Sequence, residues 1–205
     1  MTKTDSVFEQ TYQHYLTQIS QLNLIDLKER LGIRIHDNQA IVEVFGQPHR
    51  ISGEGIIGPS EKRPSFDICI ILSKYILLCP DLPTQKKGWV SFRDFKDSGP
   101  LLKFYANDVE KAIADRFSGK INTLKENGKT IGGYSPDLEL SYDFCMQFDV
   151  LPKIPLLLLF NDADNEFPAA CSVLFQNDAE KYLDAECLSM VGVLLLTRLR
   201  KASPV

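Results

Sequence analysis

The chain has 205 residues, 44% of them hydrophobic and 24% charged, with a formal net charge of −4 and a pI near 5.4. A globular chain of this size buries enough apolar surface to fold without metal or disulfide support. Its acidic balance, with lysines and arginines scattered, excludes a nucleic acid bound through a broad basic surface.

The first helix is expected over residues 6–22. Ser6 and Glu9 have capping-box spacing, and Phe8, Tyr12, Tyr15, Leu16, Ile19 and Leu22 recur on one face. Asn23 opens a second short helix that Gly32 closes, which completes an N-terminal helical segment over residues 5–32. Three short strands follow, Ile33–Ile35, Ala40–Phe45 and His49–Ser52, separated by turns at Asp37-Asn38 and Gly46-Gln47-Pro48. They predict a small antiparallel meander. Gly53, Gly55, Gly58 and Pro59 mark a loop. The thirteen apolar-rich residues Phe66–Leu78 favour a buried helix, ended by Cys79-Pro80.

Residues 80–100 read as an extended connection with one short strand or helical turn around Trp89–Phe95, the segment that carries the sole tryptophan. Asn107 to Glu110 is a capping signal for a helix over 107–118 that Gly119 stops. Gly128, Gly132 and Gly133 then bracket a return to β structure. From Leu138 to Asp149 apolar and polar residues alternate strictly, so a long strand over 138–148 with one wet face is expected, broken by Pro152 and Pro155. Leu156–Phe160 and Cys171–Phe175 form a hairpin around an acidic tip. Asn177 and Glu180 cap a short turn. The last helix, 184–200, has Asp184 and Glu186 at its start and Arg198, Arg200 and Lys201 at its end, charges that suit the helix dipole. Helices in blocks and strands in blocks make the fold class α+β, a single domain over 1–205 with an antiparallel or mixed sheet covered by helices.

Certain segments are similar to a bacterial and archaeal family known as domain of unknown function 3786. They are Leu151-Pro152-Lys153-Ile154-Pro155-Leu156, Asp164-Asn165-Glu166-Phe167-Pro168, Leu174-Phe175, Tyr182-Leu183 and Glu186. Upstream, Gly88-Trp89-Val90-Ser91-Phe92-Arg93, the pair Gly132-Gly133, and Phe45-Gly46-Gln47-Pro48 leading to Gly55 fit the same pattern. The resemblance runs from about Phe45 to Leu199. It implies no assigned activity. Some similar chains are fused to an iron–sulfur-binding segment in anaerobes, which makes a redox protein of that kind a partner class; this chain has no such cysteine-rich segment. It departs from the pattern at Asn165, where an acidic residue is usual, and around Asn161, where an aromatic is.

The residues themselves offer two candidate sites. Asp162, Asp164 and Glu166 stand at i, i+2 and i+4 on the hairpin tip, a spacing whose oxygens suit a divalent cation such as Ca²⁺ or Mg²⁺; a solvated tip with local turn bonds is the competing reading. Trp89 is a candidate ligand or partner anchor, or else a core plug. Asp137, Glu139 and Asp143 lie on or near the wet face of the long strand, and if the hairpin pairs beside it two carboxylates can meet near the sheet edge. His14, His36 and His49 form no ligand or base–nucleophile pair in sequence, and no serine or cysteine has a nucleophile-elbow context. Gly53-Glu54-Gly55-Ile56-Ile57-Gly58 has phosphate-loop spacing without the strand and helix that motif needs, so turn glycines explain it better.

Cys69, Cys79, Cys145, Cys171 and Cys187 are far apart and contain no CxxC pair, which fits thiols in a reducing compartment. No apolar run reaches the roughly 18 residues a bilayer requires, and the first ten residues lack a signal-peptide core, so a cytoplasmic protein without a membrane partner is expected. No cofactor is evident. The favoured reading is an accessory or binding protein, and the alternative is a metal-assisted or carboxylate-dependent enzyme centred on residues 162–166.

Overall fold

The structure, a computed structural model, describes residues 3–82, 84, 88–138 and 140–202. Glu139 lies outside them. Two antiparallel four-stranded sheets share one hydrophobic core with the helices, which makes the protein α+β.

The first sheet is a meander of β1 (Arg34–His36), β2 (Gln39–Val44), β3 (Gln47–Ser52) and β4 (Gly55–Ile57), in that spatial order. Its connections are two residues long. Asp37 and Asn38 join β1 to β2, Phe45 and Gly46 join β2 to β3, and all four have positive φ between 47° and 69°. Positive φ at both central residues is what a type I′ hairpin turn demands, because its twist matches that of the flanking strands. The second turn therefore sits one residue earlier than Gly46-Gln47-Pro48, and Gln47 and Pro48 belong to β3. The Gly53–Gly58 glycines form the turn into β4 and β4 itself.

The second sheet has the order β5-β8-β7-β6, with β5 (Trp89–Ser91), β6 (Phe144–Leu151), β7 (Ile154–Asn161) and β8 (Ala170–Gln176). Pro152-Lys153 is the turn of the β6–β7 hairpin, where Leu151 pairs with Ile154. Pro155 is tolerated as the second residue of β7, so neither proline breaks the sheet. β7 is the central strand, and every residue from Ile154 to Phe160 is buried.

The strand expected at 138–148 is shifted to 144–151. Its partner β7 ends at Asn161, one residue past the Phe144–Phe160 pair, and the chain then turns into the acidic loop, so Leu138 and residues 140–143 have no strand to pair with. Leu138, Leu140 and Tyr142 are exposed despite their alternation.

Among the helices, α1 (Lys3–Ile19) starts ahead of Ser6 and ends before Leu22. A 3-10 turn, Leu24–Leu27, leads into α2 (Lys28–Leu31), which Gly32 closes at φ 65°. α3 (Phe66–Leu77) packs against both α1 and α7 (Ala185–Lys201). Asp184 caps α7 by accepting the Cys187 N–H at 2.9 Å, and its other oxygen pairs with Lys74 at 3.0 Å. The helix expected at 107–118 starts earlier. A turn at Gly99–Leu101 runs into α4 (Leu102–Tyr105), a π-helical turn over Ala106–Lys111, and α5 (Ala112–Phe117), so Asn107 lies inside the helix and caps nothing. A further helix, α6 (Ile121–Thr130), takes in Gly128, the first of the glycines expected to bracket a return to β structure, and a β-bridge forms only at Tyr134. Leu124, Asn127 and Gly128 are its buried positions, and Asn127 donates to the Leu199 carbonyl at 2.9 Å.

Candidate functional site

The two sheets meet where β2 ends against β6, tied by the Phe45 N–H donating to the Val150 carbonyl at 3.1 Å. From that contact their outward faces diverge and leave a cleft of about 740 Å³. Arg34, Ile41 and Glu43 line it from the first sheet, and Gln147, Asp149 and Leu151 from β6. Ile131, Gly132 and Tyr134, which follow α6, form a third wall, and Phe45 and Pro152 lie at its base.

Each wall has a local cause. Arg34 and Ile41 face each other across the β1–β2 ladder, and Glu43 follows Ile41 two residues on, so all three share the solvent face. Arg34 donates to Glu43 Oε1 at 2.9 Å. On the other side, Gln147 and Asp149 alternate along β6, and Leu151 follows past an irregularity in its pairing with β7. Tyr134 is held beside them by a backbone bridge in which each of Tyr134 and Gln147 donates its N–H to the other's carbonyl, at 3.0 and 2.8 Å. Its hydroxyl donates to Asp149, lying 3.1 and 3.2 Å from the two carboxylate oxygens, and accepts from Gln147 Nε2 at 2.6 Å. Burial and the neighbouring Asp149 charge both raise the Tyr134 pKa, so the phenol is a neutral donor at physiological pH.

The glycines explain how the chain reaches this geometry. Gly132 has φ 86°, a turn conformation closed to most side chains. At Gly133 a Cβ would come within 2.6 Å of the Phe148 ring and 2.8 Å of the Gly128 carbonyl oxygen. Only a bare backbone lets this segment lie close enough to β6 for Tyr134 to bridge it. Three segments that carry the family resemblance, Phe45-Gly46, Gly132-Gly133 and Leu151-Pro152, thus converge on one cleft. Sequence reasoning read them as separate turns, since their meeting depends on how two sheets abut.

The acidic tip is a hydrogen-bonded loop. Asp162 Oδ1 accepts the N–H groups of Gly119 at 2.6 Å and Ala163 at 2.8 Å. Asp164 Oδ1 accepts those of Glu166 and Phe167 at 2.8 and 2.7 Å, and these bonds, that of Phe167 foremost, hold its carboxyl below the usual range. Glu166 is exposed. Among the described residues no group of three histidine, cysteine, aspartate or glutamate side chains is arranged to hold a metal ion. Asp143 is brought beside the tip, where its Oδ2 accepts the Asp162 N–H at 2.8 Å, whereas Asp137 precedes the strand. Trp89 is half-buried on β5, one of the two edge strands of its sheet, opposite Gln176. The histidines lie apart in the fold: His14 is exposed on α1, His36 sits beside Asp37, and His49 is buried with Nδ1 2.9 Å from the Gln47 carbonyl oxygen.

Glu110 is a residue whose position the sequence disguised, because it looks like the glutamate of a helix start. On the π-helical turn it faces the sheet, and its carboxylate accepts the Val173 N–H at 3.0 Å, on β8 just past where the short β5 stops pairing. Burial pushes its pKa up, opposed by the Val173 bond and the Arg93 charge. It lies between two small cavities of about 190 and 340 Å³.

No curated protein and no solved structure matches the chain. The family model described as "Domain of unknown function (DUF3786)" matches residues 23–198. That span reaches further towards the N-terminus than the segments singled out above and takes in α2 and all eight strands. The chain therefore belongs to the DUF3786 family.

Proposed function

We propose that this protein is a ligand-binding accessory protein of the bacterial cytoplasm, and that the cleft between its sheets is the binding site. The observation that carries this reading is the cleft itself, in which oriented polar side chains from three separate segments share the lining with the apolar Phe45, Leu151 and Ile131. Concave sites with a few convergent polar groups over apolar walls are where small ligands bind. Five cysteines that form no disulfide favour a reducing compartment. Among the described residues no helix is long and apolar enough to cross a membrane. An anaerobic redox protein is the partner class we favour, on the strength of the iron–sulfur segments joined to similar chains, with Trp89 as its candidate contact.

The other reading, a metal-assisted or carboxylate-dependent enzyme at 162–166, has to draw on Asp162 and Asp164, whose carboxylates already serve backbone N–H groups. Calorimetry with Ca²⁺, Mg²⁺ and Mn²⁺ on wild type and Asp164→Ala tests it.

The test of the cleft is a thermal-shift screen of the wild-type protein and Ile41→Trp against a metabolite library. Tryptophan suits a strand and fills the cleft. Compounds that raise the wild-type Tm are expected to lose their effect in Ile41→Trp. Hits that stabilise both proteins equally would count against the cleft as the site.

A further inference from the structure

The hydrogen-bonding capacity of the cleft is lopsided. Among the described residues Arg34 is the one cation lining its walls, and one of its N–H groups is paired with Glu43. Lys153 lies at the edge, where its Cε would stand 3.2 Å from a Cβ on Gly32. On the opposite wall, Asp149 receives only the Tyr134 hydroxyl, a single donor shared between two oxygens. A carboxylate has about four acceptor sites, so most of the capacity of Asp149 faces the cleft. Gln147 spends one N–H of Nε2 on the Tyr134 hydroxyl and keeps its side-chain carbonyl oxygen, Oε1. Glu43 engages Arg34 through Oε1, which leaves Oε2. Around Asp149 acceptors therefore outnumber donors, and among the described residues no cation is paired with its carboxylate.

An anion on the β6 wall would meet the Asp149 carboxylate, with Arg34 held by Glu43 across the cleft and Lys153 out at its edge. A ligand with a protonated nitrogen completes the site as it stands, since charge-assisted N–H bonds to carboxylate are the strong kind. Resting on the binding reading above, we propose that the cleft takes a small organic cation, an ammonium or guanidinium group held by Asp149 and the Gln147 carbonyl oxygen, with its carbon chain over Phe45, Leu151 and Ile131. The Tyr134 hydroxyl is a positioning group in this scheme, because it fixes the carboxylate without using up its outward lone pairs.

Four probes with one carbon skeleton test the proposal: butylammonium, butylguanidinium, butyramide and butyrate. Each is titrated into ¹⁵N-labelled protein, and the amide signals of Gly46 and Gly132 on the cleft wall are followed. The two cations are expected to move those signals and the neutral and anionic probes to leave them in place. Asp149→Asn, nearly isosteric and on an exposed strand position, should weaken the cations roughly tenfold or more. Tyr134→Phe keeps the Asp149 charge but unfixes the carboxylate, and should weaken the cations less than Asp149→Asn does. Butyrate or butyramide moving the same signals as strongly as the cations would overturn the ligand class. So would silence from all four probes alongside metabolite hits that Ile41→Trp abolishes, and the cleft reading would then stand. If the library hits also persist in Ile41→Trp, the cleft reading falls with it.

Discussion

Glu110 shows how a single side chain can replace a strand. β5 covers only the Leu174–Gln176 end of β8, and the Val173 N–H beyond it is satisfied by the Glu110 carboxylate. That arrangement carries a cost with a definite sign. Burial raises the Glu110 pKa in the folded state above its ordinary value. As pH rises through that interval the unfolded chain releases the proton first, so the folded state binds more protons and stability falls. Glutamine keeps the shape and the acceptor oxygen but does not titrate. Thermal melts across a pH series should therefore show the Tm of Glu110→Gln gaining on wild type from the ordinary glutamate range towards neutrality. A difference that stays constant with pH would mean that Glu110 is not the titrating group.

Among the elements, β7 decides the second sheet. It pairs with β6 on one side and β8 on the other, and Leu158 in its middle is completely buried. Truncation to alanine at such a site removes transfer energy and leaves a cavity, so Leu158→Ala should lose about 2–5 kcal/mol in denaturant unfolding. A loss under about 1 kcal/mol would be the behaviour of an edge strand. The elements also separate what was legible in the sequence from what was not. β7 could be read because an apolar run of that length has few other places to go, and α7 because Asp184 and the terminal arginines mark both ends. The shift of β6 could not. The alternation of residues 138–143 is real, but pairing depends on where the partner ends, and alternation alone carries no information about that. α6 escaped because Lys125, Glu126, Asn127 and Lys129 give it a polar sequence, and its packing rests largely on Leu124 and a glycine against Met146. For the site, the turns were visible and their convergence was not.

At the scale of the molecule, the helices and both sheets contribute to one continuous cluster of buried side chains, which includes Val42 and Ile51 of the first sheet and Leu158 and Phe175 of the second. A shared core of this kind leaves neither sheet an independent folding unit. Far-UV circular dichroism follows both sheets and the helices, whereas Trp89 fluorescence follows the second sheet. Their denaturation curves should coincide, and separate midpoints would show that the sheets unfold in turn. The tie between the sheets has a consequence for how this family can diversify. The bond from the Phe45 N–H to the Val150 carbonyl is made by backbone atoms alone. Of all replacements at position 45, only proline deletes that donor. The angle at which the walls open is thus insulated from the identity of the residues that line them. Arg34, Glu43, Tyr134 and Asp149 can be exchanged for side chains of other charge or shape while the scaffold stays closed at its base. Related chains can acquire new ligands by substitution on the walls, with no change to the frame that holds them apart.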